Sequence, residues 1–307
     1  MVKVSSKKNF ISYINRQSGL LEEEYSPSFS YLKWLYYKPF GRLSLFVLVK
    51  RKFLSSFYGN LMDKYSSRKK IKPFIDSYDV DMSDSFLSYK LFNSFNDFFT
   101  RKLNQDARDF SSSENLLVSP CDGKILAFDK TYNFNSFYVK GQRFSLASFF
   151  KNKKLAERFL SGSFCIICLA PSNYHRFHFP FSGNLISSHH ISGSYYSVSP
   201  IALRKRARIF CENKRSYSIL HSDVFGDVAY CEVGATMVGS IVQTFFGRRF
   251  SKGEEKGYFQ FGGSTILLFF EKNKVIFDID LINNTKLGLE TSIKAGDSLG
   301  VSANLIF

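Results

Sequence analysis

Within the stretch QFGGSTILLFFEK, Gly262-Gly263-Ser264-Thr265 places a hydroxyl directly after two glycines, in a run otherwise suited to a β-strand. A serine so placed can attack the carbonyl that precedes it under three conditions. The scissile peptide must be distorted, a base must take the hydroxyl proton, and donors must meet the developing oxyanion. Gly263 is the residue expected to supply the distortion, since glycine adopts backbone conformations closed to other residues. Taken alone, the four residues read more simply as a bulge in a sheet.

Two further segments carry polar groups that such a serine needs. Pro171-Ser-Asn-Tyr-His175-Arg-Phe-His178-Phe-Pro180 holds two of the five histidines between two prolines. On an extended segment, residues three apart face opposite ways, so His175 and His178 are expected to do different jobs. An isolated pair at this spacing is more often two satisfied loop histidines. Ser119-Pro120-Cys121-Asp122-Gly123 reads as a tight turn between strands, and Asp before Gly is ordinary turn chemistry. Cys165 and Cys168 look superficially like zinc ligands, but on a strand their thiols diverge, and the distance to the histidines is shorter than a zinc finger requires. Two buried core cysteines are the better reading.

The elements that must hold these residues divide the chain in two. Apolar positions Leu43, Phe46, Val47, Leu54, Phe57, Leu61 and Tyr65 recur mostly at spacings of three or four, a helical stripe flanked by Lys and Arg. A short helix is expected over Asn96–Leu103, and the polar tract Asp109–Asn115 reads as a linker. Beyond it come short β-type runs punctuated by glycine: 116–118, 125–128, 137–139, 164–169, 216–221, 228–233, 237–246, 258–261, 266–270 and 274–281. One helix, Leu146–Leu160, interrupts them. The expected fold class is α+β. Residues 1–110 form a helical, basic, membrane-associating region, and residues 111–307 a β-rich, barrel- or sandwich-like catalytic domain.

The 307 residues carry a net charge of +16, and the excess is uneven: Lys33 to Lys72 holds eleven basic residues and one acid. With Trp34, Tyr36, Tyr37 and Phe40 beside it, this stretch suits an anionic membrane surface, although the same features bind RNA phosphates and bases. An ordinary solvated basic face is the plain alternative. The longest apolar run here, Leu43–Val49, falls far short of the ~20 residues that cross a bilayer. The N-terminus lacks the apolar core of a secretory signal. Five cysteines in mostly apolar surroundings fit a reduced interior. These features place the protein peripherally on the cytoplasmic face of the cell membrane.

Taken in order, SFNDFFTRKL (94–103), SPCDGKI (119–125), LAPSNYHRFHFPFSG (169–183), YSVSP (196–200), ENKR (212–215), EVGATMVGSI (232–241) and KGEEKGYFQFGGST (252–265) resemble the phosphatidylserine decarboxylase family. The first ninety residues carry little of the resemblance. GGST stands where many members have Leu-Gly-Ser-Thr, Asp109 follows Arg108 where proline is usual, and Cys121 takes a place often held by alanine. None of these changes removes a reacting group.

The resemblance implies a precursor that cuts itself between Gly263 and Ser264, with Asp122, His178 and Ser264 as the self-cleavage triad. In that triad His178 is the base and Asp122 orients it. Ser264 then becomes a covalent pyruvoyl group, the only cofactor implied, with no metal. The products are a β chain, 1–263, and an α chain, 264–307, held together as a heterodimer, which leaves room for a homodimer of such heterodimers. The pyruvoyl ketone forms a Schiff base with phosphatidylserine, which loses carbon dioxide to give phosphatidylethanolamine. His175 is a candidate for contact with the substrate carboxylate or for proton donation, and Ser197 for the pocket lining. Under this reading the basic region meets anionic lipid, and nucleic acid is not a partner. The rivals are a non-catalytic basic protein binding anionic lipid or nucleic acid, and a pyruvoyl-dependent decarboxylase of a soluble amino acid.

Overall fold

Strict alternation in Phe164–Leu169 (FCIICL) shows how the molecule is layered. Cys165, Ile167 and Leu169 enter one core with Ile125, Tyr230, Ile266 and Phe270. Phe164 and Ile166 enter a second core, on the other face, with Phe149, Leu267 and Phe269. A strand buried on both faces reads as a continuous apolar run, which explains why this segment stands out in the sequence. The same alternation puts the thiols of Cys165 and Cys168 on opposite faces.

The computed structural model describes residues 10–25, 29–44, 59–129, 137–139, 142–198, 202, 208–234 and 241–305. Its main sheet has ten strands. Their order is Arg249–Phe250, Gly183–Ile191, Arg215–Ser222, Gly226–Gly234, Ser264–Phe270, Phe164–Leu169, Gly123–Phe128, Thr291–Ile293, Phe10–Ile14 and Leu21–Tyr25. All neighbours pair antiparallel except Phe10–Ile14 with Thr291–Ile293. A three-stranded sheet joins Ile241–Gln243, Glu255–Phe259 and Arg176–His178. Another joins Val275–Phe277, Ser298–Ser302 and Leu116–Val118.

The mixed, strand-rich architecture agrees with the expected class, but four particulars differ. Among the described residues no sheet closes into a barrel, and the main sheet ends at Arg249–Phe250 and Leu21–Tyr25. The first described elements of the N-terminal region are strands and not helices. Phe10–Ile14 and Leu21–Tyr25 form a hairpin turned at Gly19 (φ 69°), where glycine is favoured because it carries no Cβ. Arg16 in its loop holds Asp278 at 2.7 Å and Asp280 at 2.9 Å, pinning the hairpin to the C-terminal part of the chain. Helices follow at Phe29–Tyr37, Pro39–Ser44 and Ile71–Tyr78, and most of the Leu43–Tyr65 stripe lies outside the described residues. Finally, the strand expected over 274–281 stops at Phe277 and gives way to the helix Ile279–Lys286. The helix expected over 146–160 breaks into Leu146–Phe150 and Lys153–Arg158 at Lys151, which is left-handed at φ 51°.

A buried ion pair ties the sheet of Ile241–Gln243, Glu255–Phe259 and Arg176–His178, called the smaller sheet below, to the main one. Lys256 sits at the irregularity where Glu255 and Gly257 pair with His178 and Phe177, and it is turned fully inward. Its ammonium donates to Glu232 Oε1 at 2.6 Å and Gln243 Oε1 at 2.8 Å, and lies 5.1 Å from the centre of the Tyr230 ring. Removing one partner of such a pair strands the other charge, at a cost of about 3–5 kcal/mol. Lys256→Met is therefore expected to lower the urea midpoint of unfolding by about 1–3 M. The double variant Glu232→Leu/Lys256→Met should recover most of that loss. A recovery of less than half would show that the pair is not the source.

Candidate active site

The chain crosses between the two sheets at Gln260–Gly263. It leaves the smaller sheet after Phe259 and enters the main sheet at Ser264. The glycines therefore do not interrupt one strand, as the sequence suggests; they join two strands of different sheets. The conformation that favours glycine falls on Gly262, at φ 151°, and not on Gly263. Just upstream, the Phe261 N–H donates to Asn96 Oδ1 at 3.2 Å, and the ring packs edge-on against Phe95 and Phe99 at 4.9 and 5.1 Å. The helix Phe95–Phe99, capped by the Ser94 hydroxyl, thus clamps the segment that precedes the junction.

Ser264 itself is held from both sides, opposite Gly234 on one neighbouring strand and Leu169 on the other. It is fully buried, and among the described residues its Oγ has no hydrogen-bond partner. An unpaired buried hydroxyl costs stability, so its retention asks for a reason. Alternation puts Ser264 on the face of Ile266, Leu268 and Tyr230.

His178 closes the strand Arg176–His178 of the smaller sheet. Its Nδ1–H donates to the Gly253 carbonyl at 2.9 Å, which leaves Nε2 as the acceptor, and the Tyr174 hydroxyl donates to it at 3.2 Å. Burial lowers the pKa of His178 below the ordinary histidine value, so the ring is a neutral base at neutral pH. His175 is fully buried, with Nδ1–H donating to Asn173 O at 2.9 Å and its ring 3.9 Å from that of Phe99. Among the described residues its Nε2 has no partner. Burial, aided by the nearby Arg101 cation, drives its pKa to about 3. The two histidines thus have separate surroundings, as their spacing suggests.

Asp122 accepts from Arg108 Nε at 2.9 Å, Arg108 Nη2 at 2.6 Å and the Ala295 N–H at 2.8 Å. Arg108 also reaches Asp84 at 2.8 Å. In this structure the His178 Nδ1–H meets the Gly253 carbonyl, while both Asp122 oxygens accept from Arg108 and Oδ1 also accepts from the Ala295 N–H. The Asp122 charge still acts on His178, favouring its protonated form against the effect of burial. Gly123 serves close packing here: a Cβ would lie 2.7 Å from the Cys168 carbonyl oxygen.

Backbone bonds knit the motifs together. The His178 N–H donates to Pro120 O at 2.8 Å, which joins the Asp122 turn to the His178 strand. The Phe259 N–H donates to His175 O at 2.9 Å, which joins the His175 loop to the segment before the glycines. Ser197 is joined to the N-terminal helices. Its N–H donates to the Tyr36 hydroxyl at 2.9 Å, which ties it to the helix Phe29–Tyr37. Sequence reasoning missed Tyr174, Arg108 and Gly253. Tyr174 lay inside the quoted histidine segment, whereas nothing local distinguishes Arg108 from the other arginines.

The profile described as phosphatidylserine decarboxylase matches residues 95–301, which takes in every residue of this constellation. This chain belongs to the phosphatidylserine decarboxylase family. The phosphatidylserine decarboxylase proenzyme of Fusobacterium nucleatum is 49% identical over 295 residues, covering 96% of this chain and 98% of the relative. The proenzyme of Clostridium novyi is 47% identical over 291 residues, covering 94% and 99%. That of Desulfitobacterium hafniense is 46% identical over 292 residues, covering 95% and 98%. Coverage of nearly the whole chain brings the N-terminal hairpin and helices into the family likeness, beyond the motifs that begin near Ser94.

Proposed function

We propose that this chain is a proenzyme that cuts itself between Gly263 and Ser264 and then decarboxylates phosphatidylserine to phosphatidylethanolamine. The observation that carries the reading is Ser264 Oγ: fully buried, without a partner, at the first residue of a strand entered from a glycine pair. Ser264 Oγ attacks the Gly263 carbonyl carbon while His178 Nε2 takes its proton and passes it to the departing Ser264 amine, so an ester replaces the amide. Loss of the Ser264 α-proton then expels Gly263 as a carboxylate and leaves dehydroalanine. Water converts its imine tautomer to a pyruvoyl group with release of ammonia.

The residues around Ser264 suit that group, because burial excludes bulk water and no side chain competes for the position. When formed, the group supplies a ketone that takes up an amine and a sink for the electrons released with carbon dioxide. His175, neutral and with a free Nε2, is placed by this reading to contact the substrate carboxylate or hold a proton beside it. Asp122 keeps Arg108 in place and sets a negative charge near His178. Cleavage leaves the two products joined, since Ser264–Phe270 stays paired on both sides, and Thr291–Ile293 and Ser298–Ser302 pair with strands of the longer chain.

The same reading places the protein peripherally on the cytoplasmic face of the membrane. Among the described residues no helix is long and apolar enough to cross a bilayer. The helix Phe29–Tyr37 buries Leu35 and Tyr36 but exposes Tyr31, Trp34 and Tyr37, and Phe40 follows at 80% exposure. Aromatics beside a basic stretch suit the headgroup layer. Purified protein is expected to show two chains on a denaturing gel, the smaller blocked at its N-terminus, and to convert phosphatidylserine. Tyr31→Ser/Trp34→Ser/Phe40→Ser should convert dispersed short-chain phosphatidylserine at the parental rate and vesicular phosphatidylserine at least about 10-fold more slowly. Equal rates on vesicles would refute the membrane contact, and a single inactive parental chain would refute the activity.

A further inference from the structure

Among the described residues two arginines are buried, and they are treated differently. Arg215 donates to four backbone carbonyls, those of Phe149, Cys211, Asn213 and Ser148, so its guanidinium is satisfied. Arg101 is 5% exposed and has one acceptor, Ser172 O at 3.2 Å. Among the described residues its buried Nε has no partner and no carboxylate pairs with it. Arg108, close by, takes up both oxygens of Asp122. A desolvated guanidinium with unused donors is costly unless an anion completes it.

The position of Arg101 narrows which anion. It follows the helix Phe95–Phe99, whose Phe98 ring lies 5.5 Å from the guanidinium and whose Phe99 ring stacks on His175. Its acceptor, Ser172, belongs to the loop that carries His175, and its charge acts on His175 and is in turn acted on by Asp122 and Tyr174. His175 Nε2 is also unpaired, so an unused donor and an unused acceptor lie on neighbouring segments.

Resting on the function proposed above, we infer that Arg101 is the headgroup-anchoring residue, binding the phosphodiester monoanion of the lipid. The headgroup carries two anions, and the chemistry separates them. The carboxylate loses its charge as carbon dioxide departs, so a cation fixed on it would stabilise the ground state and oppose the reaction. The phosphodiester keeps its charge throughout. A cation fixed on it lowers KM equally at all stages and leaves kcat alone.

The test uses the self-cleaved enzyme and soluble dihexanoylphosphatidylserine. Arg101→Met is expected to raise KM by about 10- to 100-fold with kcat within about 3-fold, the loss of one charge-assisted contact. Glycerophosphoethanolamine, which has the phosphodiester and no carboxylate, should inhibit the parent and lose that inhibition in R101M. N-acetylserine, which has the carboxylate and no phosphate, should inhibit both alike. Arg101→Lys, keeping the charge, should fall between, and it carries the same comparison where R101M does not fold. An unchanged KM, a loss that falls mainly on kcat, or a selective loss of N-acetylserine inhibition would each overturn the assignment. So would inorganic phosphate inhibiting the parent as strongly as glycerophosphoethanolamine, since that marks a site for free anions. The decarboxylation and self-cleavage of the parent, followed alongside, report on the functional reading separately.

Discussion

Ser264→Ala is expected to leave a single chain of 35.3 kDa with no detectable decarboxylation, a loss of at least about a thousandfold. One atom carries both effects, because the hydroxyl that would break the Gly263 peptide is also the precursor of the reacting group. The fold should not suffer. Ser264 Oγ makes no hydrogen bond, so its removal takes away an unsatisfied buried group and costs no interaction. Against an uncleaved parent, S264A should be as stable or more stable, by up to about 1–3 kcal/mol. Thr265 gives the control. It is equally buried but faces the other way, its hydroxyl 4.0 Å from Cys168 Sγ. Thr265→Val should therefore cleave at close to the parental rate. Intact mass measured over time checks both variants, and a cleaved S264A would end the proposed chemistry.

What the sequence revealed and what it hid follow from the range of the forces involved. Phe164–Leu169 and Leu116–Val118 were legible to the residue because burial on both faces leaves continuous apolar runs. Gly183–Ile191 is hidden because most of its residues are polar and exposed, and its strand character comes from Arg215–Ser222 beside it. The hairpin Phe10–Tyr25 was hidden for a related reason, since its hold on Thr291–Ile293 and Asp278 reaches across more than 260 residues. At the site, Ser264, His178 and Asp122 were found through motif resemblance, which identifies residue types but not partners. Asp122 accepts from Arg108 and from the Ala295 N–H, and the His178 Nδ1 proton goes to a backbone carbonyl, which no side-chain pattern encodes. The two glycines were seen correctly as unusual and placed wrongly, because a change of sheet leaves no mark distinct from a bulge.

That change of partner for His178 fixes a second large effect. His178→Ala is expected to slow self-cleavage by about 10²–10⁴-fold, the usual contribution of a positioned base. The pH dependence follows from the environment of the ring. Burial disfavours the charged form and outweighs the opposing effects of the Gly253 carbonyl and the nearby carboxylates, so the folded pKa lies below the ordinary value of about 6.5. A base must be neutral to act. The cleavage rate should therefore stay level from pH 8 to about 6.5, and fall about tenfold per unit only below the lowered pKa. Tyr174→Phe sharpens the assignment. The Tyr174 hydroxyl holds the Nε2 lone pair at 3.2 Å, the same lone pair that must receive the Ser264 proton. Freeing it should leave cleavage at least as fast as in the parent, whereas a role for Tyr174 as the essential relay requires a loss approaching that of H178A. A break in the parental profile above pH 7 would contradict a buried neutral His178 and direct the search for the base elsewhere.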